Sequence, residues 1–196
     1  MRYPQGHKQQ SRERIIEAAA RLFRERGVAS TGVDAVMSAV GLTAGGFYAH
    51  FKSKQVLVGE VVRKAFADSR PHLRGEEEER GRVWLQKVLR SYISRSHRDH
   101  PETGCPLTTL LTELPHVHDT VQPIVVQEVS AYADVLEEKL DGQPSPTARQ
   151  RALALIALMV GAVAVSRALA GSALSDEMLS ACRAVGLSFT EEDSHA

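Results

Sequence analysis

Two cysteines in 196 residues leave no disulfide framework to staple the fold. The opening MRYPQGHKQQSRER has neither an apolar core nor a cleavage-site pattern, so it does not read as a secretory signal. The longest apolar run, Ala152 to Val165, is bounded by Arg149, Arg151 and Arg167 and falls short of the roughly 18 residues of a membrane span. These absences predict a soluble cytoplasmic protein with no membrane partner. No phosphate loop or oxyanion motif is visible, and nothing calls for a cofactor. His97, His100, His116 and His118 lack an acidic or cysteine partner at regular spacing and read as surface histidines, not metal ligands.

What is present is concentrated in Ser30 to Phe51, STGVDAVMSAVGLTAGGFYAHF. Val33, Val36, Met37 and Val40 recur at helical spacing, and Thr31 with Asp34 three residues on forms a capping pair. Gly41 supplies the positive-φ stop. Thr43 then caps a second helix over about Ala44 to Phe51. Two short helices across such a turn make a helix-turn-helix, whose second helix enters the DNA major groove. Ala44, Gly45 and Gly46 open that helix with almost no side chain, so its backbone can approach DNA closely. Phe47 and Phe51, four apart, pin it to the core and leave Tyr48 and His50 on other faces. Ser53 caps the next helix and places Lys54 in its first turn. On periodicity and turn chemistry alone, a generic helical hairpin with a solvated face fits as well.

Residues of about 10 to 60 resemble the N-terminal DNA-binding domain of the TetR/AcrR family of bacterial transcriptional regulators. The resemblance rests on RERIIEAAARLFRERG, on Ser30–Thr31, and above all on GLTAGGFYAHFKSKQVL with its Phe-Tyr-x-His-Phe core and Lys-Ser-Lys. It implies an all-α protein, a homodimer on near-palindromic double-stranded DNA, and a C-terminal domain that binds a small effector and so releases the operator. By position it implies that Thr31, Thr43, Ala44, Gly45, Tyr48, His50 and Lys54 touch DNA. Gly45 and Gly46 leave little side chain for base reading, which shifts specificity toward Thr43, Ala44, the first two helices and DNA shape.

The zero net charge hides an asymmetry. Residues 1–74 hold 13 Lys and Arg against 6 Asp and Glu, a balance of +7, while 75–196 hold 11 against 18, a balance of −7. The basic half is the footprint of a phosphate-binding surface. Arg2, His7, Lys8, Arg12 and Arg14 read as a cationic arm or a solvated terminus. The expected organisation is a three-helix DNA-binding domain over 1–54, a connecting helix over 55–74, and a helical ligand-binding and dimerisation domain over 75–190. GEEEERGR, residues 75–82, marks the boundary, with its glutamates at the N-terminus of the next helix. That helix carries Val83 to Ile93 and ends before His100-Pro101, and a short helix follows Pro106. Two long helices, about 121–140 and 147–170, meet at DGQPSP. The second is apolar nearly all round and must be covered on more than one side. Gly161, Ala162, Ala164 and Ala168 suit a four-helix dimer interface, although a last helix near 176–185 could cover the same face.

Cys105, at the start of the short helix, is the candidate sensor: a thiol at a helix N-terminus can ionise more readily and react with electrophiles or oxidants. Some regulators similar to this one, with a Gly-Cys at the corresponding place, sense such signals through that thiol. Packing as a small hydrophobe is the alternative, and Cys182 reads as core. A reversible pocket would draw its walls from Trp84, Tyr92, Leu107, Leu110, Leu111, Leu114, Ile124, Tyr132, Leu155, Met159 and Val163. An enzyme using Cys105, His116 and Asp119, or a ligand carrier that does not bind DNA, are the competing functions; the first lacks any fixed geometry and the second leaves Tyr48, His50 and Lys54 unexplained. The expected function is a transcriptional repressor, not an enzyme.

Overall fold

The computed structural model describes residues 5–111, 113, 118–141 and 146–190, which contain helices and turns and no strand. Arg2, Leu114, His116, residues 142–145 of the DGQPSP turn and the side chains of His118 and Asp119 lie outside this description. Helix α1, Gln5–Arg26, buries Ile15, Ala19, Leu22 and Phe23 and ends at Gly27, whose N–H donates to the Phe23 carbonyl at 2.9 Å. Since α1 begins at Gln5, the cationic residues from His7 to Arg14 sit on a helix and not on an arm. Arg14 donates to the Val40 carbonyl at 2.9 Å, and Arg12 pairs with Glu60 at 3.2 Å while lying over the Phe51 ring.

Helix α2, Val33–Ala39, is capped by Gly32 without a side-chain bond, so the expected Thr31–Asp34 capping pair does not form. Gly41, at φ 72°, closes the turn. The recognition segment is a 3₁₀ helix, Ala44–Ala49, rather than an α-helix to Phe51. Two adjacent glycines are poor α-helix formers, and the tighter winding lets the Gly46 N–H reach the Thr43 carbonyl at 3.0 Å. Helix α3, Lys54–Arg74, starts at Ser53, whose Oγ accepts from the Val56 N–H at 3.2 Å. It packs on α1 and on the long helix over 118–141.

Helix α4, Gly81–Tyr92, ends earlier than expected, and Ser94 caps a separate short α5, Arg95–Asp99. A 3₁₀ turn, Pro101–Thr103, leads to α6, Leu107–Leu110, with Pro106 at its N-cap. Helices α7, His118–Asp141, and α8, Pro146–Ala168, are the long pair, and α9, Ala173–Ser188, lies along α8 and α4. Within α8 the span Thr147–Ala168 reaches a mean hydropathy of 1.7 and is long and apolar enough to cross a membrane by composition, unlike the shorter run read from sequence. Here it packs between α7 and α9. The four glutamates precede α4 instead of occupying its first turn. Their loop is tied by buried Lys139, whose Nζ donates to the carbonyls of Glu76, Glu77 and Glu79 at 2.6, 3.0 and 3.1 Å.

Candidate nucleic-acid interface and sensing cavity

At the tip of the molecule, Phe47 and Phe51 are buried with their rings stacked 5.5 Å apart, and this anchor turns the rest of the 3₁₀ helix outward. Thr43, Gly45 and Tyr48 are exposed, Tyr48 by 72%. A Cβ on Gly45 would meet nothing within 4 Å, whereas one on Gly46 would rest on Met37 and Thr43 at 3.6 and 3.7 Å. Gly45 therefore lies on the open face and Gly46 on the packed one, with Ala44 half-buried between them. His50 is half-buried, and its Nδ1 is buried without a hydrogen-bond partner. Burial, with Lys8 and Arg12 nearby, holds its pKa below the ordinary imidazole value, so the ring is neutral at pH 7.

Two of the expected DNA-contacting side chains face inward. Thr31 is 1% exposed, and its hydroxyl donates to the Gly27 carbonyl at 2.8 Å. Lys54 directs its Nζ to the Val28 carbonyl at 2.6 Å. Both donate to carbonyls just past the end of α1, a demand that residue spacing does not reveal. Lys52, which sequence reasoning noted without assigning it a contact, is exposed beside the recognition helix.

The second site is a cavity of about 760 Å³ where α1, α3, α4, α7 and the 101–105 segment meet. Ala65, Leu73, Val88, Tyr92 and Tyr132 form its apolar wall, and Arg24, Asp68, His72, Arg90, His97 and Glu102 bring charge or polarity. Cys105 lies in its floor, where a narrow recess continues toward Phe66, Leu107, Ile156 and Met159. Of the candidate pocket residues, Tyr92, Cys105 and Tyr132 line the cavity, and Leu107 and Met159 line the recess. Trp84 and Leu111 line neither. Trp84 is core, donating its indole N–H to the Leu73 carbonyl at 3.0 Å, and Leu111 is 52% exposed. Leu110, Ile124, Leu155 and Val163 are also core.

The thiol itself departs from expectation. Burial pushes the Cys105 pKa above the ordinary thiol value, against the pull of the Tyr92 hydroxyl, the N–H groups of Leu107 and Thr108, and Arg24. A helix as short as α6 carries too little dipole to offset desolvation. His97 is no surface histidine. Its Nε2 accepts from the Cys105 N–H at 2.9 Å, and its Nδ1 bonds the Tyr92 carbonyl at 2.8 Å. Gly104 leaves room for this ring, since a Cβ there would lie 2.5 Å from it. From the far side Arg167 of α8 donates to the His97 and Arg98 carbonyls and to the hydroxyls of Thr108 and Thr109, all within 2.6–3.0 Å. Sequence reasoning missed Arg24 and Arg167, which are placed by carbonyls 69 to 80 residues distant. It reads His97 as a surface residue, whereas the ring is held by the Tyr92 carbonyl and the Cys105 N–H. Among the described residues no group of His, Cys, Asp or Glu is arranged to hold a metal ion.

Comparison with known proteins accords with this architecture. The family model for bacterial regulatory proteins of the tetR family matches residues 15–61. Over 104 residues the chain is 31% identical to YerO of Bacillus subtilis, an uncharacterized HTH-type transcriptional regulator, covering 53% of this chain and 36% of that one. It is 26% identical over 111 residues to the HTH-type transcriptional repressor DhaR of a Mycobacterium species, covering 57% and 56%. The chain thus spans between about a third and just over half the length of these two relatives. A TetR transcriptional regulator from Chloroflexus aurantiacus superposes with a TM-score of 0.77 at 24% identity, over 95% of this chain and 96% of that one, and shares the fold. Residues 15–61, with a helix-turn-helix built on buried Phe47 and Phe51, thus match the N-terminal domain of bacterial regulatory proteins of the tetR family, and the chain as a whole shares the fold of the Chloroflexus protein.

Proposed function

We propose that the protein is a homodimeric DNA-binding repressor released from its operator by a small molecule in the cavity beside Cys105. The observation that carries the DNA reading is the outward face of the 3₁₀ helix: Thr43, Gly45 and Tyr48 stand exposed on a segment immobilised by two buried phenylalanines, within the basic half of the chain. Thr43 and Tyr48 supply hydroxyls for phosphate or base edges, and bare Gly45 lets the helix end approach the backbone. Thr31 and Lys54 serve this surface indirectly, by fixing α2 and α3 to the end of α1. Repression is favoured by likeness to DhaR, which is named a repressor. The raised thiol pKa keeps Cys105 protonated and favours a reversible occupant over covalent capture by a standing thiolate.

The test is selection of binding sites from random duplex DNA, followed by fluorescence anisotropy across a salt series. Enrichment of a near-palindromic site, with affinity falling steeply as salt rises, is the expected result. Failure to enrich any site would end the DNA-reader proposal.

A further inference from the structure

The cavity holds an imbalance of charge. Of its two wall carboxylates, Asp68 pairs with Lys64 at 3.0 Å, and Glu102 lies 3.2 Å from His100. Its two guanidiniums, Arg24 and Arg90, have no carboxylate within ion-pair distance among the described residues. Arg24 spends Nε on the Ala20 carbonyl and Nη1 on the Gly104 carbonyl, each at 2.9 Å. Its guanidinium is partly desolvated, which lowers its pKa from the ordinary value. Its direct hydrogen bonds go only to neutral carbonyls, while Asp68 and Glu102 act on it from beyond ion-pair distance, and a half-buried cation so placed gains from a directly bonded anion.

Resting on the effector-released reading above, we propose that the effector is a small carboxylate with an aromatic or short aliphatic body, and that Arg24 is the residue that recognises it. The carboxylate takes the guanidinium as a bidentate partner, while the body lies against Ala65, Leu73, Val88, Tyr92 and Tyr132. Arg24 belongs to α1 of the DNA-binding head, and Gly104 to the segment before Cys105. Among the described residues, the bond between them and one from the Ala29 N–H to Glu113 at 2.6 Å link the 101–113 stretch to the head by hydrogen bonds. A carboxylate that captures Arg24 replaces the Gly104 carbonyl, a weaker acceptor, and loosens α1 from the body. Ligand occupancy and head position are thereby coupled through one side chain.

The experiment is isothermal titration of the full chain with phenylacetate and octanoate, each beside the alcohol and the amine of the same skeleton. Wild type is expected to bind the carboxylate at least about tenfold more tightly than its alcohol or amine. Arg24→Gln is expected to lose that preference while keeping the alcohol affinity, and Arg24→Lys to recover part of it. Equal binding of the three head groups, a preference that survives in Arg24→Gln, or no binding by any member of the series would overturn the proposal. Since the titration needs no DNA, its failure is separate from a failure to enrich an operator.

Discussion

Tyr48 and Thr31 show what decides a residue's role near the helix-turn-helix. Both carry a hydroxyl, yet Tyr48 is 72% exposed while Thr31 is 1% exposed and bonded to the end of α1. We predict that Tyr48→Phe weakens operator binding by about 1 kcal/mol through loss of one hydrogen bond, with thermal stability unchanged. Unaltered affinity in the anisotropy titration would remove the hydroxyl from the interface. His97 gives a second prediction at this scale. Its ring accepts the Cys105 N–H and so must be neutral, and burial followed by the nearby Arg167 holds its pKa below the ordinary value, against the Tyr92 carbonyl. The unfolded chain therefore binds the proton first as pH falls. The stability due to a neutral His97 is complete above about pH 6.5 and is lost progressively on acidification below it. Denaturation midpoints at about pH 7.5 and pH 5 should differ more in wild type than in His97→Gln, whose amide oxygen can accept the same N–H but does not titrate. Equal differences would place the pH dependence elsewhere, His50 being the next candidate.

At the scale of elements, the helices were legible wherever apolar spacing and caps agreed. Phe47 and Phe51 four apart, the Gly41 stop and the Ser53 cap all appear as read. Two kinds of feature were not legible. The 3₁₀ winding of Ala44–Ala49 depends on local hydrogen-bond choice within a helix whose position was plain. The surroundings of the cavity depend on tertiary hydrogen bonds: Arg24 and Arg167 answer carbonyls far along the chain, His97, a surface residue by its spacing, bridges Tyr92 and Cys105, and Trp84 and Leu111 fall outside the lining. The acidic loop belongs to the same class: Glu76 to Glu79 reads as a solvated charge run, but its carbonyls converge on a lysine in α7. Lys139 is 1% exposed and holds the link between α3 and α4 against the long helices. Lys139→Met retains the stem but leaves three carbonyls without their donor, and should cost about 2–3 kcal/mol in chemical denaturation. A change below about 0.5 kcal/mol would mean that water or a neighbouring chain segment serves those carbonyls equally well.

At the scale of the whole molecule, the unresolved demand is the outer face of α8 and α9. The last helix does cover one side of α8, as the competing sequence reading anticipated, but it leaves the other open. Leu153 and Val165 on α8 are each 44% exposed, and Leu174 and Val185 on α9 are 51% and 55% exposed. Small exposed or half-buried residues lie among them: Ala154, Ala157, Gly161, Ala164 and Ala168 on α8, and Ala181 and Ala184 on α9. Such a stripe allows two helix pairs to approach closely, and a second copy of the same pairs is the occupant that the proposed homodimeric repressor requires. In the proposed dimer this seam sets the distance between the two recognition helices, which ties the face remote from DNA to affinity for it. We therefore predict that Val185→Glu, a change at an exposed position, leaves thermal unfolding of the subunit nearly intact but shifts the protein to monomer in sedimentation. Affinity for a two-half-site operator should fall by about 100-fold or more, while a single half-site is bound as before. A variant that stayed dimeric would place the seam elsewhere. One that became monomeric yet kept full operator affinity would show that the two heads bind independently, and the geometric coupling between the acidic body and the basic head would have to be abandoned.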